Sequence, residues 1–402
     1  AREGILVEDD LADSLPQAAA RLGRDPATAA IFLKDGRPFR RGERLVQTDL
    51  ADTLAAVARG GPDAFCRGPV AEKIVASVRA AGGVMTVDDL ARYRVIERKP
   101  VRGTYRGYEV VSMPPPSSGG VHLVQILNIL EGFDLAAMGA GSADALHILA
   151  EAMKPAYADR AAWLGDPDRV DVPVRGLTSK LYADSLRIAI DKDRARPAEE
   201  VKAGDPLPYE SDQTTHFSVV DKDGNAVSNT YTLNFSYGAG FVAAGTGVLL
   251  NNEMDDFAAK VGALNAYGLV GGETNSVAPG ARPLSSMTPT FLFKDGKLAL
   301  VTGSLGGSRI ITTVLQVIVN VVDFGMNIAE AVVAPRIHHQ WQPDRLLVES
   351  GLSPDTLRIL ATRGQKVTVG ATSGSANSIM VTPEGLAGVS DTRQRGTLAA
   401  GY

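Results

Sequence analysis

The sequence predicts an α+β fold, and three observations carry that prediction. Helical periodicity dominates the first half of the chain. From Thr214 onward the pattern changes to short extended stretches punctuated by hairpin signals. With 45% hydrophobic and 22% charged residues among 402, the chain can bury a sizeable core.

Residues 49–59 have helical spacing and stop at Gly60-Gly61, and residues 70–80 repeat the device before Gly82-Gly83. Thr86-Val87-Asp88-Asp89 is a helix start with acids in its first turn. Tyr105 to Met113 alternates as a strand. It runs into Pro114-Pro115-Pro116-Ser117-Ser118-Gly119-Gly120, which neither a helix nor a central strand accommodates. Helical patterns follow over 121–131 and 142–163. Charged, proline-bearing residues 191–212 then read as a solvated connector, dividing the chain into 1–213 and 214–402.

Beyond the connector, Thr214–Val220 and Ala226–Leu233 flank Asp221-Lys222-Asp223-Gly224-Asn225, a hairpin signal. Asp295-Gly296 joins Thr290–Lys294 to Lys297–Thr302, and a third hairpin pairs Ser378–Val381 with Leu386–Val389. Ser308 to Asp323 is β-branched but of helix length. It follows directly on Gly306-Gly307.

Composition narrows the function classes. The net charge is −5 and Lys and Arg are scattered among acids, so the basic footprint of nucleic-acid binding is missing and small-molecule partners are expected. The lone Cys66 forms neither an intrachain disulfide nor a thiolate metal site, and is expected to be a small buried hydrophobe. The longest apolar stretch, near Val314 to Val322, is far short of a membrane span. The chain opens Ala-Arg-Glu-Gly, with no initiator Met, so an upstream segment is expected to have been removed.

Hairpin arithmetic suggests which polar residues meet. A two-residue turn at Asp223-Gly224 sets residue 214 opposite 233, and a four-residue turn sets it opposite 231. Either register stands Thr214 beside Thr232, within one position. The same count about Asp295-Gly296 places Ser285 opposite Gly306. Two successive glycine amides ahead of a helix suit an oxyanion, although a plain strand-to-helix turn needs glycine too. Asn251-Asn252-Glu253-Met254-Asp255-Asp256 follows an apolar strand. It is either a cation site, for a metal or an ammonium group, or a capped, solvated helix start.

Commoner catalytic signatures are missing: Gly-x-Ser-x-Gly, Gly-x-Gly-x-x-Gly and the P-loop do not occur. His338 and His339 are adjacent and point different ways, as structural residues would. His216 lies two strand steps from Thr214, about 6.6 Å, too far for a nucleophile–base hydrogen bond. An N-terminal threonine carries its own base, an α-amine with a pKa near ~7.7–8.0. That is a physical reason to cut a chain in front of Thr214.

At these residues the sequence resembles the γ-glutamyltransferases, or glutathione hydrolases. The resemblance is carried by Gln213-Thr214-Thr215-His216-Phe217-Ser218, Tyr231-Thr232-Leu233-Asn234 and Leu249-Leu250-Asn251-Asn252-Glu253-Met254-Asp255-Asp256. Arg282-Pro283-Leu284-Ser285-Ser286-Met287 and Gly303-Ser304-Leu305-Gly306-Gly307-Ser308-Arg309 add to it. Upstream, Pro114 to Gly120 and Tyr157-Ala158-Asp159-Arg160 match as well, so the likeness runs in order through the whole chain.

The resemblance implies a four-layer αββα sandwich of the N-terminal-nucleophile hydrolase type. Thr214 is then both autoprocessing residue and nucleophile after cleavage of Gln213–Thr214, with Thr232 supporting it. Residues 1–213 correspond to the C-terminal part of the large subunit, and 214–402 to the small subunit. Asn234, Glu253 and Asp256 are expected to hold the donor's α-amino group, which makes the acidic cluster an ammonium site and not a metal site. Ser285 and Ser286 are expected to bind its α-carboxylate, and the Gly306 and Gly307 amides to form the oxyanion hole. Residues 260–275, with Tyr267, correspond to a lid loop. No cofactor is implied. The expected partners are glutathione, other γ-glutamyl amides, amino-acid or dipeptide acceptors, water, and the two cleaved subunits for each other, in a periplasmic or secreted setting. Full-length members also carry an N-terminal stretch ahead of the position matching Ala1. It holds an arginine for the donor carboxylate, and nothing in this sequence matches it.

Overall fold

A computed structural model describes residues 1–206, 218–265, 267–370 and 374–401, with Ser218 by its backbone alone. Two compact units emerge: residues 1–96 with 231–253, and residues 97–230 with 254–402.

The second unit is built on a six-stranded sheet. Its strands are β1 (Val101–Tyr105), β2 (Tyr108–Ser112), β3 (Thr290–Lys294), β4 (Lys297–Leu305), β5 (Ser375–Thr382) and β6 (Gly385–Ser390). They lie side by side in chain order, every neighbour antiparallel. Two tight turns explain the pairings. Asp295 and Gly296 have φ of +51° and +74°, the left-handed pair that a two-residue hairpin turn requires. Arg106 and Gly107 do the same at +50° and +79°. The stretch expected as one strand from Tyr105 to Met113 is therefore the second arm of a hairpin with β1.

One face of the sheet points Val110, Leu292 and Leu300 into a core shared with three helices: α1 (Gly119–Leu130), α2 (Ala143–Trp163) and α3 (Ile310–Val322). All twelve residues of α1 are buried, as expected of a helix that is apolar all round. Helix α3 is rich in Val and Ile, yet folds as a helix because packing outweighs their modest local preference. On the sheet's other face, a Cβ built on Gly303 lies 3.9 Å from Ser228 Oγ. Ser228 belongs to a second strand pair, Ser218–Val220 with Ala226–Ser228. Helices, sheet and second β layer thus stack as the α+β reading expects.

The connector is corrected in part. Over 191–206 it is anchored as well as solvated: Ala195, Ala198 and Val201 are buried, the Trp341 indole donates to Ala198 O and Val201 O, and residues 191–194, 199, 200, 202 and 205 are exposed.

The first unit holds the helices Asp9–Leu22, Pro26–Phe32, Thr48–Gly60, Pro69–Ala80 and Val87–Arg92, and the first two of them pack on a small core of Val7, Leu15, Leu22, Phe32, Leu45 and Val242. Thr86 and Asp89 form the expected capping box. Thr28 Oγ1 accepts from Val242 N and Thr53 Oγ1 donates to Thr246 O, both at 2.8 Å, tying residues 231–253 to the helices. Cys66 ends a single-turn helix without a buried residue and is only partly covered, unlike the buried hydrophobe expected. Among the described residues, no helix is long and apolar enough to cross a membrane.

Candidate active site

Gln213 and Thr214, with His216, lie outside the described residues. The hairpin that follows them is described. Its pairs are Ser218↔Ser228, Val219↔Val227 and Val220↔Ala226, a register midway between the two expected. The loop has an odd length because Asp221 caps it. Asp221 Oδ1 accepts from Asp223 N and Asn225 N, both at 2.9 Å, and Asp221 N donates to Asn225 O. The second strand ends at Ser228, short of the expected Leu233.

Three predicted residues, Thr232, Asn234 and Glu253, fall in the first unit. Thr232 is exposed, and its Oγ1 accepts from Asn234 N at 2.7 Å. Asn234 has φ of +73°, which asparagine tolerates better than most residues. Its Nδ2 donates to Asn252 O at 2.9 Å, while Asn252 Oδ1 accepts from Phe235 N. Asn251 Oδ1 caps Glu253 N, and Glu253–Asp256 is a short 3-10 turn. The capped helix start anticipated for the acidic cluster is therefore present. Among the described residues, no group of three or more His, Cys, Asp or Glu is placed to hold a metal.

In the second unit Ser285 and Ser286 rest on the segment around Pro114–Gly120. Ser285 N donates to Pro116 O, and Ser118 N to Ser285 O, both at 2.9 Å. Ser117 Oγ reaches Met287 O at 2.7 Å. A Cβ built on Gly119 would stand 2.0 Å from Met287 O, so the two segments meet only where the side chain is a hydrogen. Beneath them Arg160 of α2 donates from Nε to Ser118 Oγ at 2.9 Å and from Nη2 to Ser286 Oγ at 3.0 Å. Burial pushes the Arg160 pKa down, while the charges of Tyr157 and Asp256 act the other way. Asp256 thus lies within electrostatic reach of the serine pair's arginine.

Neither the Gly306 nor the Gly307 amide donates to a described turn or loop acceptor. Their φ values are +135° and +58°. The expected register about Asp295-Gly296 needs correction, because a bulge between Leu292 and Phe293 moves every earlier pair by one residue. Tyr267 packs on this turn so closely that a Cβ on Gly307 would lie 2.4 Å from its ring. The loop around Tyr267 is held by the Asn265 side chain, which accepts from Tyr267 N and Leu269 N at 3.0 Å. Gln340 Nε2 donates to Tyr267 O and Gly268 O, and Gln340 Oε1 accepts from Ser308 Oγ. Gly306, Tyr267, Arg309, His338 and Gln340 line a cavity of about 400 Å³. Burial pushes the His338 pKa to about 3, so the ring is neutral between Thr312 Oγ1 and Gln340 Oε1.

Sequence reasoning gave no role to Arg160 or Ser118. The available signal was Asp159-Arg160, two charges side by side in an otherwise buried helix. Asp159 has a separate job. Burial pushes its pKa up to about 6 while it accepts from Tyr182, Gln125 and Gly204 N.

The Gamma-glutamyltranspeptidase family model matches residues 1–401. The glutathione hydrolase proenzyme of Escherichia coli is 57% identical over 404 residues, covering all of this chain and 70% of the relative. That of Pseudomonas sp. strain A14 is 48% identical, with 100% and 72% covered. The crystal structure of a cephalosporin acylase from Bacillus halodurans superposes with a TM-score of 0.86 at 30% identity, over 100% of this chain and 72% of that one. A family match spanning nearly every residue, and identity above half over the whole of this chain, show the family: this chain belongs to the γ-glutamyltranspeptidase family.

Proposed function

We propose that this protein is a self-cleaving enzyme that transfers and hydrolyses γ-glutamyl groups, acting on glutathione and related γ-glutamyl amides. The observation that carries the reading is the likeness of the whole of this chain to glutathione hydrolase proenzymes, of which it spans 70% and 72%. The Ser285–Ser286 pair set against a buried arginine, with Asp256 in electrostatic reach, supports it. A γ-glutamyl donor carries an α-carboxylate and an α-ammonium group, which need such opposite partners.

In this reading Thr214 attacks the Gln213 carbonyl, and water resolves the resulting ester into chains 1–213 and 214–402. That covalent division is distinct from the two packing units. The freed α-amine of Thr214 takes the hydroxyl proton as the oxygen attacks the donor's γ-carbonyl. Charge developing on that carbonyl oxygen falls to the amides of Gly306 and Gly307. The amide's amine leaves, and water or an amino acid then takes the γ-glutamyl group from Thr214. Thr232 supports the nucleophile. Asn234, Glu253 and Asp256 hold the ammonium group, Ser285 and Ser286 the carboxylate, and Tyr267 covers the bound donor. The two chains stay associated, and the enzyme works in the periplasm or outside the cell.

A second reading, an acylase for cephalosporin or glutaryl groups, is favoured by the acylase superposition. Release of p-nitroaniline from γ-glutamyl-p-nitroanilide and from glutaryl-p-nitroanilide separates the two. The γ-glutamyl compound is expected to be the better donor by kcat/KM, and preference for the glutaryl compound would favour the acylase.

A further inference from the structure

Among the described residues of the second unit, three cations are almost completely buried, and they differ in what neutralises them. Lys154 pairs with Glu151 at 2.6 Å and Arg336 with Asp391 at 2.7 Å. Arg160, 4% exposed, has no carboxylate within ion-pair distance among the described residues. Its hydrogen-bond partners are two hydroxyls, Ser118 Oγ and Ser286 Oγ.

Chemistry fixes the direction of both bonds. A guanidinium only donates, so each serine oxygen accepts from Arg160 and keeps its own proton to give elsewhere. Ser118 gives its proton to Ser285 O at 2.8 Å. The Ser286 hydroxyl proton goes to no described acceptor. That hydroxyl, its oxygen polarised by a full positive charge behind it, is a strengthened donor suited to an anion.

We infer that Arg160 is a positioning residue of the donor site. It orients the Ser286 hydroxyl as a donor to the α-carboxylate and adds, through it, positive charge behind that subsite. The inference rests on the γ-glutamyl reading above. It adds a residue that acts from behind the serines, and it gives a reason for a buried guanidinium whose direct partners are hydroxyls, with the Asp256 charge acting on it only from a distance.

The test is the KM-against-kcat split of Arg160→Met and Arg160→Lys with γ-glutamyl-p-nitroanilide, together with the inhibition constant of free L-glutamate. For Arg160→Met, KM and the glutamate inhibition constant should rise together by about tenfold or more, with kcat within about twofold. Arg160→Lys keeps the charge but loses the two-pronged geometry, and should recover part of both. 4-Aminobutyryl-p-nitroanilide, which lacks the α-carboxylate, should lose nothing further. A fall in kcat with KM and the inhibition constant unchanged, or equal losses for both donors, would make Arg160 merely structural and overturn the inference. Should Arg160→Met fail to fold, the Arg160→Lys measurements decide alone, since parity with the unaltered protein in both constants is equally fatal. An unaltered protein that turns over no γ-glutamyl anilide and binds no L-glutamate defeats the γ-glutamyl reading itself, and the inference with it.

Discussion

Ser285-Ser286 and Gly306-Gly307 belong to the same unit, and both are proposed here to meet negative charge, yet different things hold them. The serine pair has side-chain bonds added to its backbone pairing: the Ser118 hydroxyl donates to Ser285 O and the Arg160 guanidinium to Ser286 Oγ. The glycine pair is held by backbone conformation, with positive φ at both residues and Tyr267 packed where a Cβ would be. A site made of side chains loses one interaction when one residue changes. A site made of backbone loses its shape.

Alanine at each site is the most direct way to break this comparison. Gly307→Ala forces a Cβ into a left-handed residue and against the Tyr267 ring. We expect kcat to fall about 10²–10³-fold, the loss typical of a removed oxyanion donor. A variant that keeps near-normal kcat would mean that the turn shapes no transition state. Ser286→Ala should act mainly on KM. Losing a hydrogen bond to a charged group is worth about 1.5–3 kcal/mol, so steady-state kinetics should show KM raised roughly ten- to a hundredfold with a smaller change in kcat. An effect on kcat alone would place Ser286 with the glycines.

Asp256→Asn sharpens the comparison from the ammonium side. The shape is retained while a charge-assisted hydrogen bond becomes a neutral one of about half the strength. Relative to glutaryl-p-nitroanilide, which lacks the amino group, kcat/KM for the γ-glutamyl donor should drop about tenfold. Equal losses for both donors would make Asp256 a structural residue.

The smallest effect concerns acid. Burial holds His338, behind the glycine turn, near a pKa of about 3, and His122, within reach of the Arg160 charge, at about 3 as well. An unfolded histidine titrates near ~6.5. Both folded values are depressed, so the unfolded chain binds more protons between those limits. The stability from keeping the rings neutral is complete above pH ~6.5 and lost as pH falls toward 3, at up to about 1.4 kcal/mol per unit for each ring. Chemical denaturation between pH 7 and 4 should show this decline, and it should be shallower in His338→Gln. A slope unchanged by that substitution would remove His338 from the effect.

The sequence was most legible where local chemistry decides. Asp295-Gly296 made the turn its residue types demand, Thr86 and Asp89 made their capping box, and the apolar run after Gly306-Gly307 became helix α3. It was least legible where tertiary contacts decide. Arginine is an unusual left-handed residue, so the hairpin at Arg106-Gly107 passed as one strand. The bulge at Leu292/Phe293 carries no local signature, so a correct turn gave a register wrong by one. The connector's polar composition hid the few apolar anchors that pack it. Among site residues, the serines and glycines stood out as motifs. Arg160 did not, because its meaning depends on Ser118 and Ser286, 42 and 126 positions away.

Intact-mass measurement with N-terminal sequencing, on the unaltered protein and on Thr214→Ala, tests the nucleophile assignment most directly. The unaltered protein should yield two chains that part between Gln213 and Thr214, with Thr214 as the new N-terminus. Thr214→Ala should remain one chain, and Thr214→Ser, which keeps a hydroxyl, should be cut in part. Finding Thr214→Ala cut at the same bond, or an uncut protein that still hydrolyses γ-glutamyl-p-nitroanilide, would contradict the central claim that Thr214 is both the processing residue and the nucleophile.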